Sequence, residues 1–131
     1  MTRIKVALLS GRNLDWAVAT CEGLNIEADP MGFGVHHDNG GYWVWSDEYG
    51  SNKMRIGKEY SPSTKWNQAG LILEKYGIFP AINKGALHVG QAFKAETKNG
   101  VQYAKTPLEA VMKAVVELNL GKEIEVPKIL L

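Results

Sequence analysis

Apolar residues recur at helical spacing in three parts of the chain. In the first, Leu14, Ala17, Val18 and Cys21 share one face, with Ser10 and Gly11 ahead of them and Gly23 just beyond. That is the order of an N-cap and a glycine terminator, and it predicts a helix over residues 11–22. Residues 3–8 before it are apolar and β-branched enough for a strand. In the second part, Trp66, Ala69, Leu73 and Tyr76 make one apolar face that Gly77 ends. Ser61-Pro62-Ser63-Thr64 is expected to open this helix, because a Ser cap accepts an orphan N–H and Pro is tolerated in the first turn. In the third, Leu108, Val111, Met112, Val115 and Leu118 form a stripe before Gly121, and Thr106-Pro107-Leu108-Glu109 reads as a capping box with Pro at the first helical position.

Between the first two helices, over residues 25–59, no helical period survives. Gly32, Gly34, Gly40, Gly41, Gly50 and Gly57 interrupt the segment and Pro30 fixes one φ. Within it Tyr42–Trp45 is aromatic and β-branched, predicting one strand of a hairpin whose partner lies around residues 54–56, across a turn at 49–52. Residues 88–96 and 100–105 flank Thr97-Lys98-Asn99-Gly100, and Asn-Gly is the strongest short hairpin signal. The tail, residues 123–131, is extended at Val126-Pro127. The reading is a single domain, residues 1–131, of α+β class: a small antiparallel sheet of hairpins packed with about three helices.

Charge narrows the range of partners. Lys plus Arg number 15 and Asp plus Glu 14, a formal +1, so the strongly basic stripe of an extended duplex binder is missing and such binding is disfavoured. The first fifty residues carry 3 basic and 7 acidic side chains and the remainder 12 and 7, an asymmetry that fits a solvated face or the holding of a small anion. With 1 cysteine the chain makes no internal disulfide and no Cys-rich zinc site, which fits a reducing cytosol. No apolar run approaches the roughly 20 residues that span a bilayer, and residues 4–9 are too short for a signal core. The expectation is a cytoplasmic protein without a membrane partner.

His36 and His37 would point to opposite sides of a strand and His88 is distant, so the histidines match no standard metal spacing. Cys21, on the apolar face of its helix, is expected to be inert. Gly32-Phe33-Gly34 and Gly40-Gly41 lack the flanking strand and helix of a phosphate-cradling loop and read as turns. No motif asks for a cofactor or a metal, and no catalytic set follows from spacing, although Asp15, Glu22, His36 and His88 are free to converge in space. Asp15 and Trp16 lie early in the first helix, where an acid complements the helix dipole or makes a polar contact at a pocket rim, and Trp16 is core or pocket wall. Tyr60, Ser61, Ser63, Thr64, Lys65, Trp66 and Gln68 gather hydroxyls, an ammonium, an amide and two aromatic rings within nine residues. Together with Asp15 and Trp16 they suit a planar anionic ligand, if the starts of the first two helices meet around one pocket. The same residues also fit a well-capped helix with Trp66 packed inward.

Three blocks carry a resemblance: Leu14-Asp15-Trp16-Ala17-Val18-Ala19 with Cys21-Glu22-Gly23; Tyr60 to Gln68 with Gly70, Ile72 and Glu74; and Thr106-Pro107-Leu108 through Leu120-Gly121 to Val126-Pro127. In order and spacing the chain resembles the NinX-like family of small bacteriophage and prophage proteins. It departs from the family where Lys65 replaces a frequent acid, Ala69 a second Gly and Leu71 a Pro. The resemblance implies a phage or prophage accessory gene of the kind found near recombination and late-regulator genes, and a small α+β fold; it brings no known reaction. The reading that joins it to the residues is a non-enzymatic binder of a small nucleotide-like or anionic ligand in the host cytoplasm, sequestering a host signalling molecule. The alternative is a module that binds a host or phage protein of the recombination or transcription machinery through Tyr42, Trp43 and Trp45. Lys94, Lys98, Lys105 and Lys113 offer a nucleic-acid variant of the latter. An unpaired sheet edge is compatible with a homodimer.

Overall fold

A computed structural model describes residues 1–34, 36–37, 40–45 and 53–131. The elements are β1 (Thr2–Lys5), α1 (Arg12–Cys21), β2 (Asn25–Ala28), β3 (Tyr42–Trp45), β4 (Lys53–Arg55), α2 (Trp66–Tyr76), β5 (Pro80–Ile82), β6 (Phe93–Thr97), β7 (Gly100–Ala104), α3 (Pro107–Leu120) and β8 (Glu123–Val126). Among the described residues the strands make three small antiparallel sheets, ordered β1-β8, β2-β3-β4 and β5-β6-β7. This is the expected α+β class.

The core is built around α3. Residues 108–117 are all buried, and the helix packs against β5, β6 and β7, against α1 and α2, and against β8. Ala110 and Ala114 on α3, with Ala17, Ala95 and Ala104 facing the core, let backbones approach closely. Thr106 caps the helix, its hydroxyl accepting from the Glu109 N–H, and Pro107 opens it, as the sequence predicts. β6 and β7 form the expected hairpin, but its two loop residues are Lys98 and Asn99, neither at positive φ, while Gly100 pairs with Thr97 as the first residue of β7; the strand before the turn begins at Phe93 rather than residue 88, because Val89–Gln91 is a 3-10 turn.

Four other local expectations are corrected. The first strand is shorter than residues 3–8, because Val6–Leu8 turns into a 3-10 helix that carries the chain over α3. The tail is not merely extended: β8 pairs with β1 at the far end of the sequence, Ile4 opposite Ile124. Asn25–Ala28, inside the stretch without period, is a strand that pairs with β3. Finally, α2 begins at Trp66, with Lys65 rather than Ser61 in the cap position. Ser61 to Thr64 form a separate turn in which the Ser61 carbonyl accepts from the N–H groups of Thr64 and Lys65. Tyr42–Trp45 pairs with β4 as expected, while the turn at 49–52 lies outside the described residues.

Candidate functional site

Asp15 and the turn before α2 do meet, and they bond to each other. The Ser63 N–H donates to Asp15 Oδ1 at 2.9 Å and the Ser61 hydroxyl to Oδ2 at 3.0 Å, in a place where Asp15 is 1% exposed. Burial pushes this carboxyl up to about 6; the Ser63 and Ser61 hydrogen bonds pull it down by less, and the charge of Glu109 adds to the rise. Ser61 is held from a second side, its N–H donating to Gln68 Oε1 at 2.7 Å, and its hydroxyl also contacts Thr64 Oγ1 at 2.7 Å. A similar tie joins the other ends: Glu22 accepts from Tyr76 Oη at 2.8 Å and Lys75 Nζ at 3.1 Å. These polar contacts bind α1 to the 61–76 segment at both ends.

The nine candidate residues therefore divide. Asp15, Trp16, Tyr60, Ser61, Ser63 and Gln68 are buried, whereas Thr64, Lys65 and Trp66 are exposed. Trp16 is core at 9% exposure; Trp66 is 58% exposed, so it does not pack inward. Between the starts of α1 and α2 the Asp15 carboxylate is taken up by Ser61 and Ser63 rather than turned toward open space. The open space lies on the other side of the turn. A groove of about 420 Å³ runs between Ser63, Thr64 and Trp66 and the start of α3, where Lys105, Thr106, Pro107, Leu108 and Glu109 line it.

Lys113, offered above with Lys94, Lys98 and Lys105 as a nucleic-acid contact, is instead buried with its ammonium bonded inside the fold, and it belongs to a set that the sequence reading did not single out. Glu109, Lys113 and Glu117 are buried polar residues on α3, and a spacing of four places them on one helical line. Each bonds to the segments above the helix. Glu109 Oε1 accepts from the Ser10 hydroxyl at 3.3 Å, Lys113 Nζ donates to the carbonyls of Ala7 at 3.0 Å and Tyr103 at 3.1 Å, and Glu117 Oε2 accepts from Gln102 Nε2 at 2.8 Å. Charged residues at i, i+4 and i+8 in an otherwise apolar helix were the available signal.

The remaining candidate residues lie elsewhere in the fold. Trp43 is half-buried with its Nε1 donating to the Gly40 carbonyl at 2.9 Å, Tyr42 is half-buried, and Trp45 is exposed with Lys53 Nζ 5.7 Å from its ring centre. His37 stacks on Phe33. Among the described residues no three His, Cys, Asp or Glu side chains converge as a metal site, and no helix is long and apolar enough to cross a membrane. Cys21 is half-buried, and burial, with Glu22 beside it, pushes its thiol up to about 12. Iodoacetamide at pH 8 is accordingly expected to alkylate the native protein at least about tenfold more slowly than the urea-unfolded chain, since only the thiolate reacts. Equal rates followed by mass spectrometry would contradict the burial.

Among curated proteins none matches this sequence. A family model described as Bacteriophage P22, NinX matches residues 5–118, a span running from the end of β1 to within the last turn of α3 and taking in both the Asp15 contacts and the groove beside Trp66. The chain belongs to this bacteriophage NinX family.

Proposed function

We propose that this phage accessory protein acts by binding rather than by catalysis, holding a small nucleotide-like or anionic ligand in the groove between Trp66 and the start of α3, within the host cytoplasm. The observation that carries the reading is the position of the Trp66 indole, more than half exposed on the wall of a groove that Lys105 also lines. Tryptophan is seldom left so open on a surface, and a free indole face stacks on a planar ring for roughly 1–3 kcal/mol. Lys105 beside it, with Lys65 next in sequence to Trp66, supplies positive charge for the anionic part of the ligand. The buried Asp15, Ser61 and Gln68 act through structure in this reading: they hold the turn that presents Thr64 and Trp66. A ligand drawn from the host's signalling nucleotides would be sequestered by such a groove without being altered.

Calorimetry against mono-, di- and cyclic nucleotides tests it. The wild-type chain is expected to bind at least one, and Trp66→Ala to weaken that binding tenfold or more. No heat from any of the panel with folded wild-type protein would end the proposal.

A further inference from the structure

The gap that the charged line of α3 underlies continues away from Trp66, between the free edge of β7 and the segment that follows β1. Lys113 closes it in the middle. Its ammonium holds the Ala7 and Tyr103 carbonyls, so the two oxygens are at most about 6 Å apart, too close for another strand, which would need roughly 10 Å between its neighbours. Beyond that clamp the gap widens into a groove of about 710 Å³ between β1, β7 and the end of α3. Its size is that of a small-molecule site.

The floor of this groove is polar and incompletely satisfied. Glu117, 3% exposed, and Gln102 both line it; Glu117 Oε2 accepts from Gln102, but Glu117 Oε1 has no hydrogen-bond partner among the described residues. Of the three charged residues along α3, Glu117 is the one with a buried polar atom left unpaired among the described residues, and its side chain lines this groove. A buried carboxylate oxygen without a donor is costly, and a donor arriving with a ligand removes the cost. Gly100 keeps the space beside it: a Cβ there would sit 2.9 Å from Oε1, on a backbone with φ of 149°. The walls carry the opposite charge. Arg3, Lys5 and Lys122 line the groove, Arg3 paired with Glu123, while Lys5 and Lys122 have no ion pair among the described residues.

We propose that this groove is a second ligand site, for a small anionic molecule that also carries an edge of N–H donors. The donors go to the Glu117 carboxylate, whose oxygens each accept more than one bond, and the anion goes to Lys5, Lys122 and Arg3. An anion alone would leave Oε1 unpaired and meet the Glu117 charge; a cation alone would meet three basic side chains. A guanine nucleotide has both features, since two adjacent N–H groups on its base match a carboxylate and its phosphate matches the lysines.

The test is calorimetry on the full chain with GMP, AMP and inorganic phosphate as probes. GMP is expected to bind, with AMP and phosphate at least tenfold weaker. Glu117→Gln should weaken GMP tenfold or more and Trp66→Ala should leave it unchanged. Since Glu117 is buried, the exposed pair Lys5→Ala with Lys122→Ala supplies a variant that does not disturb the core; it should also lose tenfold and flatten the dependence on salt. The proposal is overturned if folded wild-type protein gives no heat with GMP, if AMP binds equally, or if the Lys5/Lys122 variant binds GMP as wild type does. GMP binding lost in Trp66→Ala but kept in Glu117→Gln would overturn it too, while placing the nucleotide in the groove beside Trp66.

Discussion

Lowering the pH from 7 to 4 is expected to stabilise the wild-type fold relative to Asp15→Asn by about 2 kcal/mol. The carboxyl stands at about 6 in the folded chain and near 3.8 when exposed, so the folded state holds this proton more tightly. Between those values the unfolded chain ionises and the folded one does not, and stability falls as pH rises; a shift of about two pH units corresponds to about 3 kcal/mol. Above 6 both states are ionised and the difference levels off; below 3.8 both are protonated and it is complete. Asn is the right reference because its carbonyl still accepts the Ser63 N–H and its amide still reaches the Ser61 hydroxyl, without a charge to desolvate. Asp15→Ala, in contrast, removes the acceptor of a buried N–H and should be destabilised by about 2 kcal/mol at pH 7. Urea melts of the three proteins at pH 4, 5, 6 and 7 decide the matter. A wild-type minus Asp15→Asn difference that is flat, or that grows with pH, would mean that hydrogen bonds rather than burial govern this carboxyl.

The same residue shows where sequence reading stops. Elements whose signals are local were legible: α3 from its Thr106-Pro107 cap and apolar stripe, the β6–β7 hairpin from Asn99-Gly100, and α1 from Leu14 to Gly23. The start of α2 was not, because whether a Ser caps the following helix depends on what else its polar groups can reach. Ser61 finds Asp15, 46 residues earlier, and Gln68, so the turn closes on itself and the helix begins later. The pairing of β1 with β8 is equally non-local: Arg3 bonds to Glu123 across 120 residues. At the candidate site the residue types were legible but their roles were not. A Trp at helical spacing looks the same whether it is Trp16 in the core or Trp66 on a groove wall, and only packing by other segments separates them. The line of Glu109, Lys113 and Glu117 was present as spacing, yet its meaning depends on distant partners: Ser10, the Ala7 and Tyr103 carbonyls and Gln102 are what these buried side chains bond to.

Lys113→Ala should have the largest single effect, lowering stability by about 3 kcal/mol and the melting temperature by about 10 °C. Lys113 is 7% exposed, and its ammonium is the donor to both the Ala7 and the Tyr103 carbonyls, which belong to different sheets' segments. Removing it leaves two acceptors unpaired and a cavity where the stem lay. Part of the loss is recovered, because burial already opposes the charge and holds this ammonium below its ordinary value, with only Glu109 favouring it. Lys113→Met separates the terms: it keeps the apolar stem and removes both the donors and the buried charge, so it should fall between wild type and Lys113→Ala. The lowered value also fixes a sign at alkaline pH. The folded chain releases this proton before the unfolded one does, so the wild-type minus Lys113→Met stability difference should rise as pH climbs toward 10.5. Thermal melts at pH 7 and 9.5 measure both effects. If Lys113→Met equals or exceeds wild type at pH 7, the bridge contributes no net stability. The clamp between the two grooves would then be a device of shape alone, which hydrogen exchange at the β7 amides, faster in Lys113→Met than in wild type, would still reveal.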